Sequence, residues 1–311
     1  MEQPSSEFQP ATQRLASQDL LSMQLPVRSR QPVLIATTMG AHDPRTVGLP
    51  MYDPAELRAT VDAWWSGLAR ALRAEGVPDV PDLLDRSLSL DALWGAPGLL
   101  LTQTCGFPLF GSWAGRLQYV ATPSYAADGC DGVDYCSWIV VPAESSAQRL
   151  EDLRGARCSI SARNSHSGYN ALRAAIAPLA RDRRFFGSVQ LSGGHAESLA
   201  QLGRGEVDVA AIDCVTHALL SRCRPQLTAA TRIIGRTASA PGLPFATRAD
   251  AQPELVERLR AGLMRAFADP GLRSLREALL LDGLAVLQPS AYDGMAEMEI
   301  DARRQRYFEL D

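Results

Sequence analysis

The chain has 311 residues and a net charge of -4, with 46% hydrophobic and 21% charged residues, which excludes disorder as its main state. At about 100–200 residues per domain the length suggests two domains with ordinary cores. All 31 basic residues are arginine, so a Schiff-base lysine, a catalytic ammonium and a P-loop lysine are excluded together.

The absence of any polybasic block argues against nucleic acid as a partner and for a small ligand. Residues 1–30 read as a flexible tail with no continuous apolar stretch of the kind a secretory signal needs, so the chain as written starts in the cytoplasm. No later run approaches the ~20 apolar residues of a membrane span, and no membrane insertion is expected.

Pro32 to Met39 is expected as a buried first strand, followed by a Gly- and Pro-rich loop from Gly40 to Pro50. Pro54 then opens a long helix carrying Leu57, Val61, Trp64, Trp65, Leu68 and Leu72 at helical spacing, closed by Gly76 and Pro78. Leu99 to Leu101, Leu117 to Ala121, Tyr135 to Val141, Arg157 to Ser161, Val189 to Leu191, Val207 to Ile212, Thr231 to Ile234 and Phe245 to Thr247 read as strands. Helices are expected at Tyr169 to Leu179, His195 to Arg204, Pro253 to Ala268, Leu272 to Leu281 and from Tyr292 onward. Strands alternating with helices on short connections imply an α/β fold with ligand loops at strand carboxyl ends.

Six cysteines (Cys105, Cys130, Cys136, Cys158, Cys214, Cys223) are too sparse for a disulfide scaffold, and no C-x-x-C pair suggests zinc. Cys130 and Cys136 bracket a turn-rich stretch, which leaves a local bridge open in an oxidising compartment. Cys214 and Cys223 fall on opposite sides of one helix, nine steps of ~100° apart, and are not expected to pair.

The segment Ala162 to Gly168 (ARNSHSG), lying between a strand and a helix, is the most informative. Unpaired N–H groups and the positive dipole end at such a helix start can hold an oxyanion, and Ser165 and Ser167 add hydroxyl donors. The same residues also suit an ordinary N-cap, so spacing leaves both readings open. Asp213 ends a strand where a cap is expected, and His195 follows Gly193-Gly194 at a helix start. The four histidines show no metal spacing, and there is no G-x-S-x-G elbow, Rossmann fingerprint or Walker loop. No catalytic residue, metal or cofactor is therefore assigned. Tyr52, Phe107 and Tyr135 stand in loops where an aromatic with a polar tip suits a pocket wall.

Pro50-Met51-Tyr52-Asp53, Leu99 to Pro108, Tyr135 to Val141, Asn164 to Gly168 with Asn170-Ala171-Leu172-Arg173, and Val207 to Asp213 together resemble the phosphate, phosphite and phosphonate substrate-binding proteins of ABC transporters. The resemblance runs from about Pro32 to Leu287 and rests on the ordered set of segments. It implies a type II periplasmic-binding-protein fold: two lobes, each a mostly parallel sheet flanked by helices, with the ligand in the cleft between them. Lobe one would combine 31–135 with 245–311, and lobe two would be 136–244.

Carried over by position, Ser165, His166, Ser167 and Gly168 match the family's anion-binding helix start, with His166 where a Ser or Thr is more usual. Tyr52 matches its first-lobe aromatic, Gln103 and Thr104 its first-lobe loop, Tyr135 the aromatic near the crossover, His195 its second-lobe histidine and Asp213 its acid after the strand. The resemblance implies a small phosphorus oxyanion as ligand, an ABC permease as partner and the periplasm as location. A cytoplasmic enzyme on the same fold, with His166, His195 or Cys105 as reactive groups, and a ligand sensor are the alternatives.

Overall fold

The computed structural model describes residues 45–310, so the expected tail and the strand expected at Pro32 to Met39 lie outside the described residues. In chain order the strands are β1 (Thr46–Gly48), β2 (Leu99–Gln103), β3 (Leu117–Tyr125), β4 (Asp134–Tyr135), β5 (Ser137–Pro142), β6 (Arg157–Ile160), β7 (Ser188–Leu191), β8 (Val209–Asp213), β9 (Thr231–Arg236), β10 (Ala240–Pro241), β11 (Phe245–Arg248) and β12 (Leu281–Ala285). The helices are α1 (Arg58–Ala74), α2 (Leu90–Trp94), α3 (Gly106–Phe110), α4 (Ala171–Ile176), α5 (His195–Gly203), α6 (Cys214–Cys223), α7 (Pro225–Ala229), α8 (Pro253–Ala268), α9 (Arg273–Ala278) and α10 (Asp293–Arg304).

Two five-stranded sheets carry the chain, in the orders β1-β2-β11-β3-β12 and β7-β6-β8-β5-β9. Both are mixed. In the first, β1, β2 and β3 run one way, and β11 enters antiparallel between β2 and β3 while β12 lies antiparallel on the edge. In the second, β7, β6 and β8 are parallel, and β5 runs against both β8 and β9. The expected parallel sheets are thus interrupted by the strands that enter and leave them: β5 follows the outward passage and β11 the return. The two passages pair with each other, since β4 and β10 form an antiparallel ribbon that sets Tyr135 opposite Ala240.

Several expected elements shift for identifiable reasons. β1 falls inside the stretch expected as a loop, because its buried Val47 finds the parallel edge of β2 opposite Leu101. Pro54 is extended and a 3-10 turn at Ala55–Leu57 precedes α1, whose buried face holds Val61, Trp64, Trp65, Leu68 and Leu72 as the spacing predicts. The helix expected at Leu272 to Leu281 stops at Ala278. Leu280 turns left-handed there (φ 59°), and Leu281 starts a strand on β3 that periodicity did not reveal. The helix expected from Tyr169 begins earlier, as a π-helical turn over His166–Asn170 that continues into α4.

The C-terminal segment departs from the expected grouping of 245–311 with the first lobe. Met295 joins the core around the first sheet, whereas Ala302, Tyr307 and Leu310 are buried in a core with Ile139, Ile160 and Val209 of the second. Buried polar groups fix this crossing: Asn170 donates to the Met295 carbonyl at 2.8 Å and Arg173 to the Phe308 carbonyl at 2.8 Å.

The cysteines are all free. Cys130 faces Cys214, with 3.6 Å between the sulfurs, instead of forming the local pair with Cys136 that the turn left open.

Candidate functional site

A cleft of about 340 Å³ is lined by the ends of β6, β7 and β8 with the helix starts that follow them, and by the segment before α1, by α2 and by the start of α3. Its polar wall starts where β6 ends. Ser165 caps the π-helical turn, and its hydroxyl accepts from the Gly168 N–H at 3.0 Å. Position 168 has room only for glycine, since a Cβ there would sit 2.0 Å from the Ser161 hydroxyl oxygen and 3.2 Å from the His195 ring. That close approach brings Ser167 Oγ within 3.0 Å of His195 Nε2, at the first residue of α5. Gly193 enters α5 with φ 85°, a conformation that favours glycine.

Burial pushes both His166 and His195 down to about 4, so each imidazole is neutral at pH 7. Ser161, Asn164, Ser165, Ser167, Gly193, Gly194 and His195 together make a wall of hydroxyl, amide and imidazole groups. Among the described residues no arginine lines the cleft.

Asp213 ends β8 and caps α6, taking the Thr216 N–H at 2.7 Å on Oδ1. Its other oxygen, Oδ2, accepts from the Tyr52 hydroxyl at 3.0 Å, across the cleft. Burial raises the carboxyl to about 6 against the lowering effect of these donors. Tyr52 is held edge-on against Tyr125, with ring centroids 5.0 Å apart, and burial followed by the Asp213 charge lifts its hydroxyl well above the usual range. Asp53, the second acid of the lining, takes Arg86 through Nε at 2.5 Å and Nη2 at 3.1 Å.

Of the ten residues singled out in the sequence, the structure brings Tyr52, Ser165, Ser167, His195 and Asp213 to this cleft. The other five lie outside its lining. Gln103 is turned into the first sheet, donating to Tyr125 Oη at 2.8 Å and the Leu243 carbonyl at 3.0 Å. Thr104 is fully buried, and its N–H donates to the Pro244 carbonyl. His166 backs the helix start, accepting from Asn170 at 3.3 Å between the rings of Phe107 and Tyr135. Tyr135 is buried behind it in β4, and Gly168 contributes a backbone already engaged with Ser165.

The lining also takes in Ser161, Asn164, Thr216 and the glycine pair, of which Asn164 and the glycines lie in segments that the sequence pattern marks. Nothing in the sequence marked Leu90, Trp94 and Leu219 as cleft residues.

Two α/β sheets joined by paired crossing strands, with a polar-walled cleft at their loop ends, have the architecture of the type II periplasmic-binding-protein fold. Residues 114–292 match the family model described as "ABC transporter, phosphonate, periplasmic substrate-binding protein", and the chain belongs to that family, which binds solute and does not catalyse. Tyr52 and the wall around it lie outside the matched residues. No curated protein matches the chain.

Among solved structures, the chain is similar to a binding protein component of an ABC phosphonate transporter from Pseudomonas aeruginosa, with 14% identity and a TM-score of 0.68 over 84% of this chain and 87% of that one. It is also similar to PhnD1 from Prochlorococcus marinus in complex with methylphosphonate, at 12% identity and a TM-score of 0.66 over 84% of this chain and 98% of that one. XAC2383 from Xanthomonas citri, bound to chloride ion, aligns at 17% identity and a TM-score of 0.63 over 84% and 98%. At such identities these likenesses speak for the fold. Among the described residues no helix is long and apolar enough to cross a membrane. Family membership implies a small ligand and a transporter permease as partners.

Proposed function

We propose that the cleft binds a small phosphorus oxyanion (phosphate, phosphite or a phosphonate) for ABC-type uptake, with Ser165, Ser167, His195 and the amides of the two helix starts as donors. The observation that carries this reading is the 3.0 Å meeting of Ser167 Oγ and His195 Nε2 in a wall with neutral donors and no formal cation. An oxyanion accepts several short hydrogen bonds at once, and converging helix starts supply them. Tyr52 closes the opposite side through Asp213.

The two lobes are 45–135 with most of 245–310, and 136–244 joined by the last of the described C-terminal residues. They close because both contact one ligand, which binds the closed state more tightly. Isothermal titration of the full chain with phosphate, phosphite, methylphosphonate, 2-aminoethylphosphonate and phenylphosphonate tests the reading. Binding by at least one that weakens in Ser167→Ala is the expected result, and no heat from any of them with a folded sample overturns it.

A further inference from the structure

The two walls of the cleft differ in chemistry. The serine, asparagine and histidine donors sit on the side of β6 and β7, whereas Met51, Pro54, Leu90, Trp94 and Leu243, with Leu219 of α6, add apolar groups to the lining, and the Trp94 indole N–H there is buried without a partner. The cleft, about 340 Å³, has room for more than the five heavy atoms of a methylphosphonate. Trp94 is braced in the lining by Trp113, edge-on at 5.6 Å.

Both acids that could receive a cationic tail are already engaged. Asp53 is held by Arg86 on both oxygens, and Asp213 accepts from Tyr52 on one oxygen and from Thr216 on the other. An ammonium entering here would have to share oxygens that already accept these donors and, at Asp53, would meet the charge of Arg86, whereas an alkyl or aryl group needs no polar partner.

We propose that the ligand is an organophosphonate or phosphate monoester whose organic group is apolar and of phenyl or hexyl size, its anionic head on the Ser165, Ser167 and His195 wall and its tail against Met51, Leu90, Trp94 and Leu219. This rests on the oxyanion reading of the same cleft. Each methylene buried tightens binding by roughly fourfold, the equivalent of about 0.8 kcal/mol.

The test is calorimetry of the full chain with methyl-, 2-aminoethyl-, phenyl- and hexylphosphonate and with phenyl phosphate, repeated in Leu90→Ser. Leu90 is 43% exposed, so this change leaves folding intact while removing part of the tail wall. Hexyl- and phenylphosphonate are expected to bind at least tenfold more tightly than methylphosphonate, 2-aminoethylphosphonate no more tightly than methylphosphonate, and the hexyl-to-methyl ratio is expected to fall several-fold in Leu90→Ser. Equal or weaker binding of the larger ligands, or a preference for the aminoethyl compound, overturns the apolar tail and leaves the oxyanion reading standing. Silence from every compound overturns both.

Discussion

The bond from Tyr52 to Asp213 joins residues 161 apart in sequence across the cleft, and Tyr52→Phe removes it while keeping the ring against Tyr125. A hydrogen bond to a charged acceptor contributes about 1.5–3 kcal/mol, more than one to a neutral group. Asp213 therefore sets the pH at which the loss is felt. Burial holds its carboxyl at about 6, and the Tyr52 hydroxyl is one of the donors that keep it from rising further.

At pH 8 the carboxylate is charged, and the variant takes the Tyr52 donor from its Oδ2. The expected loss of about 2 kcal/mol lowers Tm by roughly 3 °C, since an unfolding entropy of about 2.1 cal/mol/K per residue comes to roughly 650 cal/mol/K for the chain. At pH 5, below the folded pKa, the group is largely protonated in both proteins and the neutral bond is worth about half as much. Thermal unfolding followed by circular dichroism at the two pH values reads this difference. A Tm shift that is equal at pH 5 and pH 8, larger at pH 5, or absent at both refutes the reasoning.

Gly168→Ala places a methyl 2.0 Å from Ser161 Oγ and 3.2 Å from the His195 ring, so phosphonate affinity is expected to fall at least tenfold by calorimetry while Tm drops. His166 and His195 are each held near 4, below the ordinary 6.5, so their contribution is fully present above pH 6.5 and is lost as pH falls to 4. At about 1.4 kcal/mol per unit that loss is roughly 3 kcal/mol for each histidine, and the raised carboxyl of Asp213 returns about 3 kcal/mol between pH 6 and 3.8, leaving a net loss of roughly 3–4 kcal/mol by pH 4 in urea titrations. Treatment with a small-molecule disulfide is expected to join Cys130 to Cys214, whose sulfurs need to close from 3.6 Å to about 2.05 Å, and peptide mapping that finds Cys130 bridged to Cys136 contradicts it.

The sequence revealed what depends on local pattern. The stripe of Val61, Trp64, Trp65, Leu68 and Leu72 predicts α1, and Pro253 to Ala268 predicts α8 to the residue, because an apolar face with a helical period can be buried in only one way. It hid β1 and β12. Each is short, and each exists because a distant strand, β2 or β3, offers it an edge. The site divides along the same line. Ser165 and Ser167 were marked by their place between strand and helix, but their meeting with His195 spans 28 residues and depends on the bare Cα of Gly168. His166 looked equivalent to its neighbours in the segment, yet the π-helical turn sends it into the protein behind them. The apolar wall of Leu90 and Trp94 had no sequence signal, since a five-residue helix is too short to show a period.

The proposed anion site uses neutral donors although the chain has 31 arginines, and several of those are committed elsewhere. Arg86 is committed to Asp53 and Asp62, Arg224 to Glu56, and the buried Arg173 to the Phe308 carbonyl behind the helix start. With no arginine among the described lining residues, recognition falls to contacts made at hydrogen-bond distance. Such a site discriminates by fit: each hydroxyl and amide left unpaired by the wrong anion costs about 1–3 kcal/mol, a penalty that added salt does not screen. On that account the affinity for the proposed ligand should change little between low and physiological ionic strength. The steep salt dependence of an arginine-lined site would show that a guanidinium swings into the cleft when the ligand arrives.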